Sequence, residues 1–127
     1  MIFLDTNFLI SFFVNKEENH QRAIEIARTI ENEEKIISKL VIAETITVLK
    51  KKLPIKDIIK IYEVLGDFIT VEDAHLFDKT FKQFVKYDGE ISFFDAVYIV
   101  IMDEFNIHEI VSFDEDFDNK DRIVRIH

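Results

Sequence analysis

The sequence predicts a single α/β domain over residues 1–127, with a central parallel five-stranded sheet flanked by helices on both faces. Three observations carry that expectation. Short apolar runs alternate with longer segments of helical spacing, a pattern that implies parallel strands joined by right-handed crossovers. The 127 residues make one domain's length, enough to remove roughly two thirds of the unfolded chain's surface from water. A composition of 48% hydrophobic and 32% charged residues with two Gly and one Pro is too apolar for a disordered tail and too poor in turn formers for a many-stranded sandwich.

Taken in order, Ile2 to Leu4 is the first strand, and Asp5 can cap a helix that begins near Asn7. Ala23, Ile26, Ala27 and Ile30 share one helical face, and Ile36-Ile37 is the second strand. Leu40 to Leu49 is apolar nearly all round, as suits a helix packed on both sides. After Pro54, the residues Ile55, Ile58, Ile59, Tyr62 and Leu65 form another helical stripe, and Phe68 to Val71 is the third strand. Phe77, Phe81 and Phe84 repeat the helical spacing, and stripes carrying the thirteen Phe are expected in the core. Phe93 to Phe105 is a second helix apolar on all sides, with Ile110 to Phe113 and Ile123 to Ile126 as the last strands. No repeat, linker or low-complexity stretch divides the chain.

Several chemistries are excluded at once. With no Cys there is no disulfide framework, thiolate metal site or cysteine nucleophile, and a reducing cytoplasm suits the chain. Gly66 and Gly89 lie too far apart for a P-loop or a dinucleotide fingerprint. The longest uncharged run, the ten residues from Thr6 to Asn15, is too short for a membrane span, so none is expected. Met1 to Leu4 leads to Asp5 without a basic region, so no signal peptide is expected either. Sixteen Lys and Arg against 25 Asp and Glu give a net charge of −9, which repels polyanions unless metal ions or a local basic patch invert it. Lys50, Lys51 and Lys52 with Lys56 nearby are such a patch; the plain reading is a solvated turn, and the functional one is contact with RNA phosphates.

Asp5, Glu44 and Asp95 are each the only formal charge in an apolar run, without a basic neighbour. A buried carboxylate in that position costs several kcal/mol or goes neutral. Bland roles exist for two of them: Asp5 as a helix cap, and Asp95 as the fourth residue of a Ser92 capping box. Glu44, a turn inside its helix with Leu40 and Val48 four residues away, has no such role. In Asp114-Glu115-Asp116-Phe117-Asp118 an EF-hand loop fails, because Asn119 stands for the required Gly and Arg125 for the Glu. A solvated acidic turn is the plain reading of Glu115, Asp118 and Asp121. His108-Glu109 lacks the second His of a zinc-protease helix, and His20, His75 and His127 are isolated. Placed at strand ends and on flanking helices, Asp5, Glu44, Asp95 and Asp114 would share one cleft. Such a cluster makes physical sense with divalent cations among the carboxylates, and oxygen-only ligands favour magnesium or manganese.

Asp5-Thr6-Asn7 after the first strand, Ala43-Glu44 in a helix, Phe94-Asp95-Ala96 opening another, and Val111-Ser112-Phe113-Asp114-Glu115-Asp116-Phe117 after a late strand resemble the four motifs of PIN domains. The resemblance is greatest to the VapC-type toxin ribonucleases and covers nearly the whole chain, with Ser112 where the family usually has Thr. It implies a single PIN-like domain and metal-dependent hydrolysis of RNA. By motif, Asp5, Glu44, Asp95 and Asp114 would be the catalytic metal-binding acids and Asp116 an auxiliary one. Thr6, Asn7, Ser92 and Ser112 would orient them by hydrogen bonds. It also implies a homodimer and a protein antitoxin. Two other function classes compete: a non-catalytic module whose acidic cleft binds a basic peptide, and a phospho-receiver domain, against which the lack of an acid beside Asp5 counts.

Overall fold

The computed structural model describes residues 1–120 and 122–127; Asp121 lies outside the described residues. Strands β1 (Ile2–Leu4), β2 (Lys35–Ser38), β3 (Ile69–Val71), β4 (Glu109–Val111) and β5 (Val124–Ile126) form one parallel sheet in the order β3-β2-β1-β4-β5. Helices α1 (Thr6–Phe13), α2 (His20–Thr29), α3 (Lys39–Leu49), α4 (Ile55–Leu65), α5 (Phe77–Lys86) and α6 (Phe93–Glu104) fill the connections. The central β1 pairs Phe3 with Ile36 on one side and with Ile110 on the other, and all three side chains are buried. Continuous apolar strands of this kind belong to a sheet covered on both faces.

The chain builds outward from β1 to β2 to β3, then returns across β1 to place β4 and β5. Right-handed crossovers send these two sets of connections to opposite faces, which opens a crevice beyond the carboxyl ends of β1 and β4. Asp5 follows β1 directly, and Ser112 follows β4.

Every residue of α6 from Asp95 to Met102 is buried, as expected of a helix packed on both sides. Helix α3 departs from that expectation. Only Val41, Thr45 and Leu49 are buried on it, while Ala43 and Thr47 are exposed. One flank of α3 borders an open cleft through Glu44 and Val48 instead of meeting another layer. Its start is held twice: Ser38 Oγ accepts from the Val41 amide at 3.3 Å, and Asp73 Oδ2 accepts from the Leu40 amide at 2.8 Å. Asp73 is buried just past β3, so the strand beside β2 helps to fix the helix that carries Glu44.

The helical stripes are only half core. On α4 the ridge of Ile58, Ile61 and Leu65 is buried, but Ile55, Ile59 and Tyr62 are exposed by more than half. On α5, Phe84 packs on the core, while Phe77 and Phe81 are exposed by 40% and 58% and do not meet the core expectation. The apolar stripe on each helix is wider than the face the sheet can cover, so one ridge of each lies outside.

The acidic turn after β4 also differs from its plain reading. Asp118 receives both Nε and a terminal nitrogen of Arg125, at 2.7 and 2.9 Å, and the Arg125 side chain is largely buried. The other terminal nitrogen donates to the Ser112 carbonyl at 3.2 Å, so β5 clamps both ends of the segment that holds Asp114 and Asp116.

Candidate active site

A cleft of about 530 Å³ opens beyond the carboxyl ends of β1 and β4. Asp5, Glu44, Asp95, Asp114 and Asp116 all line it, joined by Thr6, Asn7 and Ser92. Ser112 is fully buried beneath.

That serine organises the site. Its hydroxyl donates to Asp5 Oδ2 at 2.7 Å and accepts from the Asp114 amide at 3.0 Å and from Asn7 Nδ2 at 3.3 Å. One donor and two acceptors use the full capacity of a hydroxyl. Asn7 Oδ1 accepts from the Phe113 amide at 3.0 Å, which ties the start of α1 to the segment after β4. Thr6 contributes through its backbone, whose amide donates to Asp5 Oδ1 at 2.8 Å. Its buried hydroxyl has no partner at hydrogen-bonding geometry, though it lies beside the Tyr98 hydroxyl. The orienting bond expected of the Thr6 side chain is therefore made by the amide, because Asp5 caps α1 at that residue.

Replacing Ser112 by Ala removes the donor to Asp5 and leaves two part-buried donors, the Asp114 amide and Asn7 Nδ2, short of an acceptor. The expected loss is about 1–3 kcal/mol of stability, read from the denaturant midpoint. Because the Ser112 bond lowers the Asp5 pKa, the titration midpoint of Asp5 should also move up, which NMR would follow.

Asp95 sits in the first turn of α6, where Ser92 Oγ accepts from its amide at 3.0 Å. The capping reading of Ser92 is thus present in the structure, and it leaves the Asp95 carboxyl free to face the cleft. There it converges with Asp114 and Asp116, each offering an oxygen within 4.8 Å of the others. Asp114 is placed by the Ser112 hydroxyl and in turn accepts from the Asp116 amide at 2.9 Å. No histidine joins this group among the described residues. His20 instead bonds through Nδ1 to the Ser11 carbonyl at 2.8 Å.

Glu44 is held by a residue that the sequence reading passed over as core. The Tyr98 hydroxyl donates to Glu44 Oε1 at 3.0 Å. Burial and the adjacent Glu44 carboxylate push the tyrosine's pKa well up, so it stays a donor. A signal existed, since Tyr98 lies three residues after Asp95 and shares its side of α6.

Electrostatics mark the site as strained by its own charge. Burial raises the Asp5 pKa to about 7 against the lowering effect of its Ser112 and Thr6 bonds, with Glu44 and Asp114 adding to the rise. Burial, then the charges of Asp5, Asp114 and Glu44, push Asp95 up to about 8. Asp116 is raised as well, by burial and by Asp114. Carboxylates crowded this way want a cation. An all-oxygen donor set with three convergent carboxylates fits a hard divalent ion such as magnesium or manganese.

Comparison with known proteins bears on the family and the fold. The PIN domain model matches residues 2–123. The chain belongs to the PIN domain family. Among solved structures, the fold is shared with VapC20 of Mycobacterium tuberculosis, described as a sarcin-ricin loop cleaving toxin. That match has a TM-score of 0.82 at 22% identity over 91% of this chain and 92% of that one. FitAcB from Neisseria gonorrhoeae matches with a TM-score of 0.64 at 17% identity, over 91% of this chain and 88% of the other. No curated protein sequence matches the chain. The parallel five-stranded fold expected from the sequence is thereby established.

Of the four lysines expected to touch RNA, Lys52 alone lines the cleft; Lys50, Lys51 and Lys56 are exposed and do not border it.

Proposed function

We propose that this PIN domain is a metal-dependent endoribonuclease that hydrolyses RNA phosphodiesters, the toxin of a toxin–antitoxin pair. The observation that carries the reading is the convergence of Asp95, Asp114 and Asp116 in one cleft with Asp5 and Glu44. The likeness to VapC20, a loop-cleaving toxin, supports RNA as the substrate.

Asp95, Asp114 and Asp116 would hold magnesium or manganese, with Asp5 and Glu44 close by to complete the donor set. A bound divalent ion supplies activation of a water and neutralisation of charge that develops on the phosphoryl group. The chain's own work is to hold the acids in place. Ser112 and the Thr6 amide fix both oxygens of Asp5, Tyr98 fixes Glu44, and Arg125 anchors the segment bearing Asp114 and Asp116. Deprotonation of Asp5 and Asp95 accompanies loading, so metal affinity rises with pH through the range of their raised pKa values.

A homodimer and an antitoxin are part of this reading. The exposed ridges of Ile55, Ile59 and Tyr62 on α4 and of Phe77 and Phe81 on α5 are surfaces of the kind that partner chains cover. An antitoxin that places a basic side chain among the acids would block the site. The proposed setting is the cytoplasm; no helix is long and apolar enough to cross a membrane.

Incubation with RNA, with and without magnesium or manganese, tests the proposal alongside thermal melting. Cleavage should require the ion, and ion at about a hundred times its dissociation constant should add about 2.7 kcal/mol of stability. Stabilisation without cleavage would instead mark a binding module with an acidic cleft. Neither effect would sink both readings.

A further inference from the structure

The acidic cleft has a neighbour of opposite character. A groove of about 420 Å³ runs between the end of α1 and the turn joining α3 to α4, and Lys52 borders both it and the cleft. Lys16 and Lys60 line the groove with Lys52, and Asp57 is its one acidic residue among the described residues. Phe13, Leu53 and Ile61 give it an apolar floor. In a chain of net charge −9 this is a local inversion of sign. It is built by the fold, since the three lysines come from the α1–α2 turn, the α3–α4 turn and α4.

At the junction of the two regions Lys52 Nζ pairs with Glu17 Oε1 at 2.7 Å. Glu17 lines the cleft, where Lys52 is the only basic residue lining it among the described residues. The pair is partly exposed, with 39% of the Lys52 side chain and 26% of the Glu17 side chain open to solvent, so salt screens it in part and a ligand can reach the lysine. A phosphate that offers a full charge to Lys52 can therefore displace Glu17.

We propose that this groove binds the sugar-phosphate backbone of a single-stranded nucleic acid whose scissile phosphate lies in the acidic cleft, with Lys52 handed from Glu17 to the strand at the junction. Lys16 and Lys60 contact the flanking phosphates, and Phe13 offers a face on which a base can stack. This rests on the ribonuclease reading for the position of the scissile phosphate. The groove's affinity for the strand does not need it.

The test is fluorescence anisotropy with a labelled single-stranded RNA in EDTA, where cleavage is absent and the unmetallated cleft repels the strand. The doubly substituted Lys16→Gln, Lys60→Gln protein should bind more weakly and lose about 1.4 from the slope of log affinity against log salt, about 0.7 for each phosphate contact on a single strand. Lys50→Gln with Lys51→Gln, on the same turn as Lys52 but outside the groove, should leave both quantities unchanged. Glu17→Gln should tighten binding by at least about twofold, since it removes the competing charge of a partly exposed pair. The four lysines are exposed and Glu17 is partly so, and melting curves confirm that each variant is folded. Equal losses from the two lysine pairs, or an unchanged slope in Lys16→Gln, Lys60→Gln, would overturn the groove. Unchanged or weaker binding by Glu17→Gln would overturn the hand-over at Lys52. A matched DNA strand that binds equally shows that the groove reads the backbone alone. Cleavage at saturating RNA with metal tests the ribonuclease reading separately: binding through the groove without cleavage fails that reading and keeps the groove, and cleavage with no effect of Lys16 and Lys60 does the reverse.

Discussion

Asp95→Asn is expected to abolish RNA cleavage while raising the melting temperature of the metal-free protein. The two effects have one cause. Asp95 is buried beside Asp5, Asp114 and Glu44, and their combined charge with burial pushes its pKa up to about 8. In the metal-free protein above that pH its ionised form is a source of repulsion. Asn keeps the shape and the amide that Ser92 caps but carries no charge, so at alkaline pH the variant should gain stability, by about 1.4 kcal/mol for each unit by which the pKa was raised and the pH exceeds the unfolded value. With metal the sign reverses, because the same carboxylate is one of three oxygens that converge on the ion. Loss of a ligand should lower activity by more than the roughly 10–100-fold typical of an outer hydrogen-bonding partner. If Asp95 served only the helix terminus, Asp95→Asn would stay active; Ser92→Ala should lose ~1 kcal/mol under either role, because Ser92 caps the helix in both. A folded, fully active Asp95→Asn protein would therefore remove Asp95 from the chemistry.

How much of this was legible in the sequence follows from how local each signal is. The inner strands were visible because a doubly covered parallel strand must be apolar on both faces, and runs such as Ile2 to Leu4 and Ile110 to Val111 leave few other readings. The isolated acids were visible for the complementary reason: Asp5, Glu44 and Asp95 are charges in segments that otherwise avoid them, and all three line the cleft. What stayed hidden depends on pairs far apart in the chain. Asp73 reaching the Leu40 amide, Tyr98 reaching Glu44, and Arg125 gripping Asp118 are side-chain bonds whose partners no spacing rule names, except where Tyr98 and Asp95 share a helix face. The lysines show the same limit from the other side. Adjacency in sequence drew attention to Lys50, Lys51 and Lys52, but a turn sprays neighbouring side chains in different directions. The fold gathers Lys16, Lys52 and Lys60 instead. Exposure of Phe77 and Phe81 was hidden because periodicity reports that a face is apolar, without saying whether the same chain covers it.

The second large effect is on stability against pH. In the metal-free protein the pKa values of Asp5 and Asp95 are raised to about 7 and about 8, against about 3.9 for an aspartate in the open chain. Between those limits the native state holds protons that the unfolded state has released, so stability falls as pH rises. The contribution is fully present below about pH 4 and is gone once the pH has passed through 7 and 8. Other carboxylates behave oppositely: Asp118 and Glu104, lowered by Arg125 and Lys79, favour the native state only above their own low pKa values. Measured from about pH 5.5 upward, where those two are already ionised, the slope belongs to the cleft. The unfolding free energy from urea titration in EDTA should fall between about pH 5.5 and 8.5, by a few kcal/mol in all, since each excess proton is worth about 1.4 kcal/mol per pH unit. Magnesium or manganese should restore stability at the upper end and add little at the lower, where the ligands are protonated and the ion must displace those protons to bind. Asp5→Asn and Asp95→Asn should each flatten the metal-free slope, and together they should nearly abolish it. A metal-free stability that rises over this range would mean that the two aspartates are already ionised at pH 5.5, and that something other than a bound cation relieves their charge.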